Sequence, residues 1–265
     1  PLWENENLFG KVPDAKSGAW MNFGGDKTWP APQSRWGDVA PTNWPPPVGF
    51  DATPAEARVE GWVVNLVWPV DAAYGRERIL IHLYLPASGT PPYKTVIYFP
   101  GVDARYRRVF GLTSYFVPWE CIPKSGRAFI VPVYSGMYER GGGTPTDQAK
   151  KWEELFPEWV KDVGRTIDYL ETRQDIDIQN LAYMGLSHGA HLGPDICIYE
   201  KRIKVLVLLG GGARFPAARP KPQGLPLPHV KIPVLMLNGK FDYLYPVETC
   251  QKPFFNLLGT PPEHK

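Results

Sequence analysis

The sequence is poor in cysteine, nearly neutral in charge and free of long apolar runs, and each of these deficits excludes a class of protein. Three cysteines, Cys121, Cys197 and Cys250, are spread too widely for a disulfide framework or a zinc site. A net charge of +2 leaves no basic excess to drive nucleic-acid binding. The longest apolar runs, such as residues 205–209, have only the length of a strand, so no membrane span is expected.

What the chain does contain is enough apolar sequence for a folded domain. Apolar residues make up 43% of the 265 positions and charged residues 21%, which predicts a substantial core in one large domain or a medium domain with an extension. We expect neither a metal nor a cofactor. No signal peptide is visible, which slightly favours a cytoplasmic location. Because the chain begins at Pro1 and not at Met, a leader removed before Pro1 is the alternative. The composition does not indicate an oligomeric state.

Composition divides the chain near residue 72. Residues 1–72 show no helical period, which predicts an irregular or β-rich segment with aromatic anchors. This segment contains the proline run 45–47 and seven of the ten tryptophans: Trp3, Trp20, Trp29, Trp36, Trp44, Trp62 and Trp68. Residues 73–265 follow a different pattern and are expected to form a second domain.

In residues 73–265, short apolar segments alternate with helical periods. The strands are predicted at residues 79–85, 95–99, 128–134, 180–184, 203–209 and 234–237, and the helices at 151–173, 188–199 and 247–258. Pro157 is expected to break or kink the first of these helices. This alternation predicts an α/β fold, with a mostly parallel sheet and helices on both faces.

The segment 185–189, Gly-Leu-Ser-His-Gly, fits the pattern Gly-x-Ser-x-Gly between a predicted strand and a predicted helix. In that setting a strained turn exposes Ser187 as a nucleophile, and the backbone N–H of His188 points towards a substrate oxyanion. The alternative is an ordinary glycine-rich turn in which Ser187 caps the helix.

Two further residues are candidates for the same site. Val102 follows the strand 95–99 and the Pro-Gly turn, and its N–H is the expected second oxyanion donor. Asp242 follows the strand 234–237, and chain order places it where the acid of a Ser-His-Asp triad is expected. A plain turn at Val102 and a turn or N-cap aspartate at Asp242 are the alternatives.

None of the five histidines has a sequence position well suited to the general base of the triad. His82 lies in an early strand, His188 and His191 are too close to Ser187 in sequence, and His229 precedes Asp242. His264 has the right chain order but lies in a proline-rich tail without a strand before it. The base is therefore predicted to be a histidine that follows Lys265, with His264 as the alternative.

From about residue 73 onward the chain resembles the α/β-hydrolases related to dienelactone hydrolase, particularly the esterase-like domains attached to some bacterial protein kinases. The similar stretches are residues 73–78, 98–101, 124–128, 138–141, 168–173, 185–189, 237–239 with Asp242, and 258–261. The resemblance implies a serine esterase in which Ser187 and Asp242 are catalytic. It also implies a histidine on a Gly-His turn roughly ten residues past Lys265, on a last strand and helix that residues 73–265 lack. His188 departs from the family, which usually has tryptophan there.

The N-terminal segment, residues 1–72, resembles a different protein family. Residues 22–33 and 44–47 resemble a fragment of uncharacterised bacterial proteins with a mutarotase-like β-sandwich. Residues 1–72 are far too few for a whole sandwich, so a fusion of two incomplete pieces is one interpretation.

Two functional hypotheses follow. The first is a serine hydrolase that cleaves small-molecule carboxylic esters through an acyl-enzyme. The second is a catalytically inactive hydrolase-like domain that binds a ligand or partner. A cysteine nucleophile of the dienelactone hydrolase type is excluded, since position 187 is serine.

Overall fold

The computed structural model describes residues 56–60, 63–74, 77–86, 89–110, 119–143, 150, 152–213 and 227–265. The predicted mutarotase-like stretches at 22–33 and 44–47 lie outside these residues. The described chain forms two compact units. The first contains the described residues up to Tyr93 together with Asp103–Ile176, and the second contains Lys94–Val102 together with Asp177–Lys265.

The first unit is built on an antiparallel ladder. Its strands are β1 (Glu56–Glu60), β2 (Val63–Asp71), β3 (Arg78–Pro86) and β5 (Ala128–Pro132), and they pair in the order β1-β2-β3-β5. Every residue of β3 is buried, as expected for an apolar strand covered on both faces. The short helix α1 (Cys121–Lys124) packs against β3 and β5.

Helix α2 (Trp152–Glu171) covers β2, β3 and β5 with its apolar face. The residues that the sequence predicts on this face are all fully buried where the structure describes them: Leu155, Trp159, Val163, Ile167 and Leu170. Of the predicted break or kink at Pro157, the break is wrong, since α2 runs through this residue as one helix. Proline costs only one backbone hydrogen bond at this early position, and the buried face compensates for the loss.

The second unit is the parallel part. Its strands are β4 (Tyr93–Phe99), β6 (Ile176–Leu186), β7 (Ile203–Leu209) and β8 (Val234–Leu237), in the order β4-β6-β7-β8. β6 pairs in parallel with β7, and β7 in parallel with β8. Helix α3 (His188–Tyr199) joins β6 to β7 and packs against β7, which is the βαβ arrangement expected of parallel neighbours. The α/β prediction is confirmed.

The second unit ends in a helical segment that differs from the prediction in detail. The predicted helix at residues 247–258 is a π-helical turn, Val247–Gln251, followed by helix α4 (Lys252–Leu257). Pro253 near the start of α4 lacks the N–H that a continuous α-helix would use, which favours the change of helical type. A final 3-10 turn, Pro262–His264, closes the described chain.

Candidate active site

Ser187 lies between the last residue of β6 and the first residue of α3. Its φ is +52°, in the left-handed region that side chains rarely adopt. Among the described non-glycine residues, only Tyr138 shares a positive φ. Ser187 makes no side-chain cap to α3, so the alternative of an ordinary capping serine is not what the structure shows. The turn has the strained strand-to-helix geometry that exposes a nucleophile.

The two glycines of the motif are required by the close packing of the turn. A Cβ atom at Gly185 would overlap the backbone of Gly189, and one at Gly189 would overlap the Phe99 carbonyl. The Gly189 N–H also donates to the Pro100 carbonyl oxygen at 3.2 Å. The turn that carries Ser187 is therefore in backbone contact with the end of β4.

This contact brings the two predicted oxyanion donors to neighbouring segments. His188 begins α3, and Val102 begins the 3-10 helix Val102–Tyr106 directly after the β4 turn. The first N–H groups of a helix have no acceptor within the helix, so both positions supply donors that point out of a helix end. The His188 ring is buried and lies edge-on to Phe99, with 6.2 Å between ring centroids.

Asp242 lies in the turn after β8, at the same edge of the parallel strands. Ser187 N donates to the Leu209 carbonyl at 2.7 Å, and Gly210 N donates to the Leu237 carbonyl at 2.8 Å, which links the ends of β6, β7 and β8. The Asp242 Oδ1 atom accepts hydrogen bonds from the backbone N–H groups of residues 244 and 245, at 2.9 and 3.0 Å. Oδ2 is therefore the oxygen through which Asp242 could orient a histidine.

All five histidines fall within the described residues, and none completes a triad there. Neither Asp242 nor the Ser187 hydroxyl is hydrogen-bonded to a histidine ring among those residues. His264 is exposed, and its side chain makes no hydrogen bond to any described residue. His191 Nδ1 lies 2.8 Å from the Gly212 carbonyl oxygen, to which it must donate, so this ring joins α3 to the loop after β7.

A second polar cluster, in the first unit, was not foreseen from the sequence. Arg140 Nη1 lies 2.6 Å from Asp162 Oδ2, while Nη2 lies 2.6 Å from the Tyr74 hydroxyl and 2.9 Å from Glu77 Oε2. The Tyr74 hydroxyl donates to Asp162 Oδ1 at 2.8 Å, and Ser135 N donates to Oδ2 at 2.9 Å. We call these five residues the Arg140 cluster. The sequence resemblance marks stretches 73–78 and 138–141, but it assigns no role to them.

The charge of Arg140 is favourable in spite of its burial, whereas burial raises the pKa of the Asp162 carboxyl above its ordinary value against the effect of Arg140. Burial opposes the charge of Arg140, but the Asp162 and Glu77 carboxylates outweigh burial and raise the pKa of the guanidinium above its ordinary value. Burial, together with the Asp162 charge, also raises the pKa of the Tyr74 hydroxyl, so Tyr74 stays protonated as a donor. The cluster therefore joins three parts of the first unit by hydrogen bonds and ion pairs: the loop between β2 and β3, the segment after β5, and helix α2.

Asp195 on α3 gives a prediction about stability and pH. Burial raises its pKa from 3.8 to about 6, so the folded chain holds the proton more tightly than the unfolded chain. Protonated Asp195 therefore makes its full contribution to the free energy of unfolding below about pH 4. This contribution is lost as the pH rises through about 6. Asp195→Asn should therefore stabilise the fold at pH 8, by at most about 3 kcal/mol, and have little effect at pH 4.

Urea unfolding of wild type and Asp195→Asn at both pH values measures this effect. Glu154→Gln, an exposed substitution of the same kind on α2, is the matched control and should show no comparable pH dependence. An equal effect of Asp195→Asn at pH 4 and pH 8 would contradict the prediction.

The described part of the chain contains neither a disulfide, nor a metal-ligand cluster, nor a membrane-spanning helix. Cys121, Cys197 and Cys250 are free thiols. No group of three or more metal-ligating side chains occurs among the described residues. No helix in those ranges has the length and apolar character needed to cross a membrane.

The chain matches no protein-family model and no curated protein. Solved structures do resemble it. A cold-adapted esterase from an Arctic intertidal metagenomic library, in a PEG-bound complex, has a TM-score of 0.57 at 17% identity, over 79% of this chain and 86% of its own. A dienelactone hydrolase-like promiscuous phosphotriesterase from metagenomic libraries scores 0.53 at 15% identity, over 74% and 80%.

A Klebsiella pneumoniae protein named as a dienelactone hydrolase scores 0.50 at 17% identity, over 73% of this chain and 80% of its own. The chain has the α/β-hydrolase fold. The predicted resemblance is thus confirmed at the level of the fold. In this fold Ser187 occupies the turn between the parallel strand β6 and the helix α3 that follows it.

Proposed function

We propose that the protein is a serine hydrolase that cleaves carboxylic esters. Ser187 is the nucleophile, the backbone N–H groups of Val102 and His188 bind the oxyanion, and Asp242 orients the histidine that acts as base. The observation that carries the proposal is the positive φ of Ser187 in a turn that excludes any side chain at Gly185 and Gly189. Esterases among the structural neighbours support the same reaction class.

The reaction would proceed in two halves. Ser187 Oγ attacks the ester carbonyl while the histidine accepts its proton, and the resulting oxyanion is held by the two N–H donors. The tetrahedral intermediate expels the alcohol, which takes the proton from the histidine, and leaves an acyl-Ser187 ester. Water then attacks this ester with the same histidine as base, which releases the acid and restores the Ser187 hydroxyl.

The base is proposed to be a histidine that follows Lys265, with His264 as the alternative. Two features support a base that approaches from outside the described residues. Asp242 has Oδ2 available while Oδ1 is occupied by two backbone donors. The Ser187 hydroxyl has no hydrogen bond within the described chain, so a proton acceptor can still approach it.

A fluorophosphonate that reacts with activated serines tests the nucleophile. With a working histidine present, the probe should label Ser187 and no other serine, and Ser187→Ala should abolish labelling, as read by peptide mass spectrometry. Ser125→Ala is the matched control, because Ser125 is an exposed serine that donates to the Ile122 carbonyl. Labelling of a second serine, or full ester hydrolysis by Ser187→Ala, would refute the assignment.

A hydrolase-like binding module is the second candidate function. It is favoured by one observation, namely that neither Asp242 nor the Ser187 hydroxyl bonds a histidine within the described chain. Absence of labelling at Ser187 in the full-length natural protein, with the fold intact by circular dichroism, would decide for this candidate.

A further inference from the structure

A side-chain hydrogen bond spans the turn that carries Ser187. The Tyr183 hydroxyl, on β6, donates to the Gly189 carbonyl oxygen at 2.8 Å, and Gly189 belongs to the first turn of α3. Tyr183 is fully buried, so water cannot easily replace either partner of this bond. The bond, which we call the Tyr183–Gly189 bond, therefore joins the strand before Ser187 to the helix after it.

The start of α3 is weak as a helix when taken by itself. Pro194 has no N–H group to donate to the Ala190 carbonyl, so one hydrogen bond within the first helical turns is missing. Gly189 and Gly193 also lower the helical preference of these turns, because glycine loses the most backbone freedom on folding. Contacts with other elements are therefore needed to fix the first turn of α3.

Both polar groups of the Gly189 backbone have a partner outside α3. Its N–H donates to the Pro100 carbonyl oxygen at 3.2 Å, and its carbonyl accepts the Tyr183 hydroxyl. The Tyr183 ring packs beside Phe99, with 6.3 Å between ring centroids, and a Cβ atom at Gly193 would lie 2.8 Å from the Tyr183 ring. The end of β4, strand β6 and the first turn of α3 are thus fixed together just after the proposed nucleophile.

The conformation of Ser187 depends on such fixed surroundings. A serine with a φ of +52° persists only where the surrounding structure outweighs the strain of this conformation. The proposed oxyanion donor, the His188 N–H, lies between Ser187 and Gly189 in sequence, so a fixed Gly189 restrains both groups. Misplacement of a reacting group by about 1 Å can cost roughly 10²-fold in rate.

We propose that Tyr183 is a positioning residue, whose hydroxyl holds the turn 185–189 in the strained conformation that Ser187 needs for attack. Tyr183 acts only through Gly189, so it contributes to the rate of attack and not to the binding of the ester. This inference rests on the proposed function for its effect on hydrolysis, whereas its effect on the turn is measurable in a protein of any activity.

Tyr183→Phe tests the effect on hydrolysis, because it removes the hydroxyl and keeps the ring. In the full-length natural protein, it should lower kcat and kcat/KM for 4-nitrophenyl acetate equally, each roughly three- to tenfold, the effect of one lost hydrogen bond. Tyr169→Phe is the matched control and should leave both constants unchanged. Tyr169 is also buried, but its hydroxyl accepts a hydrogen bond from Arg173 in the first unit.

Amide hydrogen exchange, read by NMR, separates this inference from the proposed function. The amides of Gly189 and His191 donate to carbonyls at the turn, and the Leu206 amide donates to a carbonyl beside β7 in the same unit. In Tyr183→Phe, the first two amides should exchange roughly three- to tenfold faster relative to the Leu206 amide, because the turn opens more often. Tyr169→Phe should leave this ratio unchanged.

The two measurements together decide both questions. Faster relative exchange at the turn in a protein that hydrolyses no ester would support the role of Tyr183 in the turn and refute the esterase proposal. Unchanged exchange, or an equal increase at Leu206, would overturn the inference even if esters are hydrolysed. Faster exchange with unchanged kcat in an active esterase would also overturn it, and so would an equal loss of kcat in Tyr169→Phe.

Discussion

A chain that ends at Lys265 should hydrolyse esters only at a residual rate, and continuing it with a histidine-bearing segment should raise that rate by orders of magnitude. The reason is that Ser187 and Asp242 bond no histidine within the described chain. Oxyanion donors and binding alone leave roughly 10³–10⁴ over water in a disabled triad. Loss of the histidine costs ~10⁶ in kcat in a serine protease, which sets the upper limit of the gain.

The continuation needs a strand, a Gly-His turn and a helix, or about 20–30 residues. Hydrolysis of 4-nitrophenyl acetate by the two chains, each corrected with its own Ser187→Ala variant, measures the gain. The same continuation with its histidine replaced by alanine is the matched control. Fast hydrolysis by the shorter chain that disappears in His264→Ala would show instead that His264 is the base.

Asp162→Ala should lower the free energy of unfolding by about 3–5 kcal/mol, because the buried Arg140 then loses its buried carboxylate and keeps only the partly exposed Glu77 as an ionic partner. The Arg140 side chain is only 3% exposed and the Asp162 side chain is fully buried, so water cannot replace the lost carboxylate. Arg140→Met combined with Asp162→Ala should be less damaging than Asp162→Ala alone, because the one charge that then lacks its partner, Glu77, is partly exposed to water, whereas Arg140 is buried. Urea unfolding of the two variants and wild type measures both effects.

Glu248→Ala is the matched control for the buried pair. Glu248 pairs with Lys252 at 2.6 Å, but the two side chains are 74% and 59% exposed, so its loss should change stability by less than about 1 kcal/mol. If Asp162→Ala is no more destabilising than Glu248→Ala, the Arg140 cluster contributes nothing to folding.

The sequence predicts most of the second unit because its signals are local. Helix α3 and strands β7 and β8 have the predicted bounds, since each is a continuous apolar segment between turn residues. The turn at Ser187 is predicted for the same reason, because the glycines, the preceding strand and the following helix are all adjacent in sequence. The prediction of Pro157 as a break fails because burial of the α2 face outweighs a local preference.

The Arg140 cluster could not be predicted in this way. Its members come from three separate stretches, with Tyr74 and Arg140 66 residues apart. No periodicity relates residues at such distances, so only the folded chain shows that they meet. The roles of Ser187, Asp242, Val102 and His188 stay predictions, and serine labelling and the chain continuation test them.

The contact between Gly189 and the end of β4 has a consequence for how this protein could change its activity. Because the Phe99 carbonyl and the Pro100 carbonyl meet the Gly189 backbone directly, no side chain separates the segment bearing Ser187 from the segment bearing Val102. A side chain at Gly189 would therefore force these two segments apart and could not adjust the distance between Ser187 and Val102 in small steps. If the proposed roles of these residues hold, gradual changes of substrate preference would have to arise in the side chains around the turn, while this backbone contact stays unchanged.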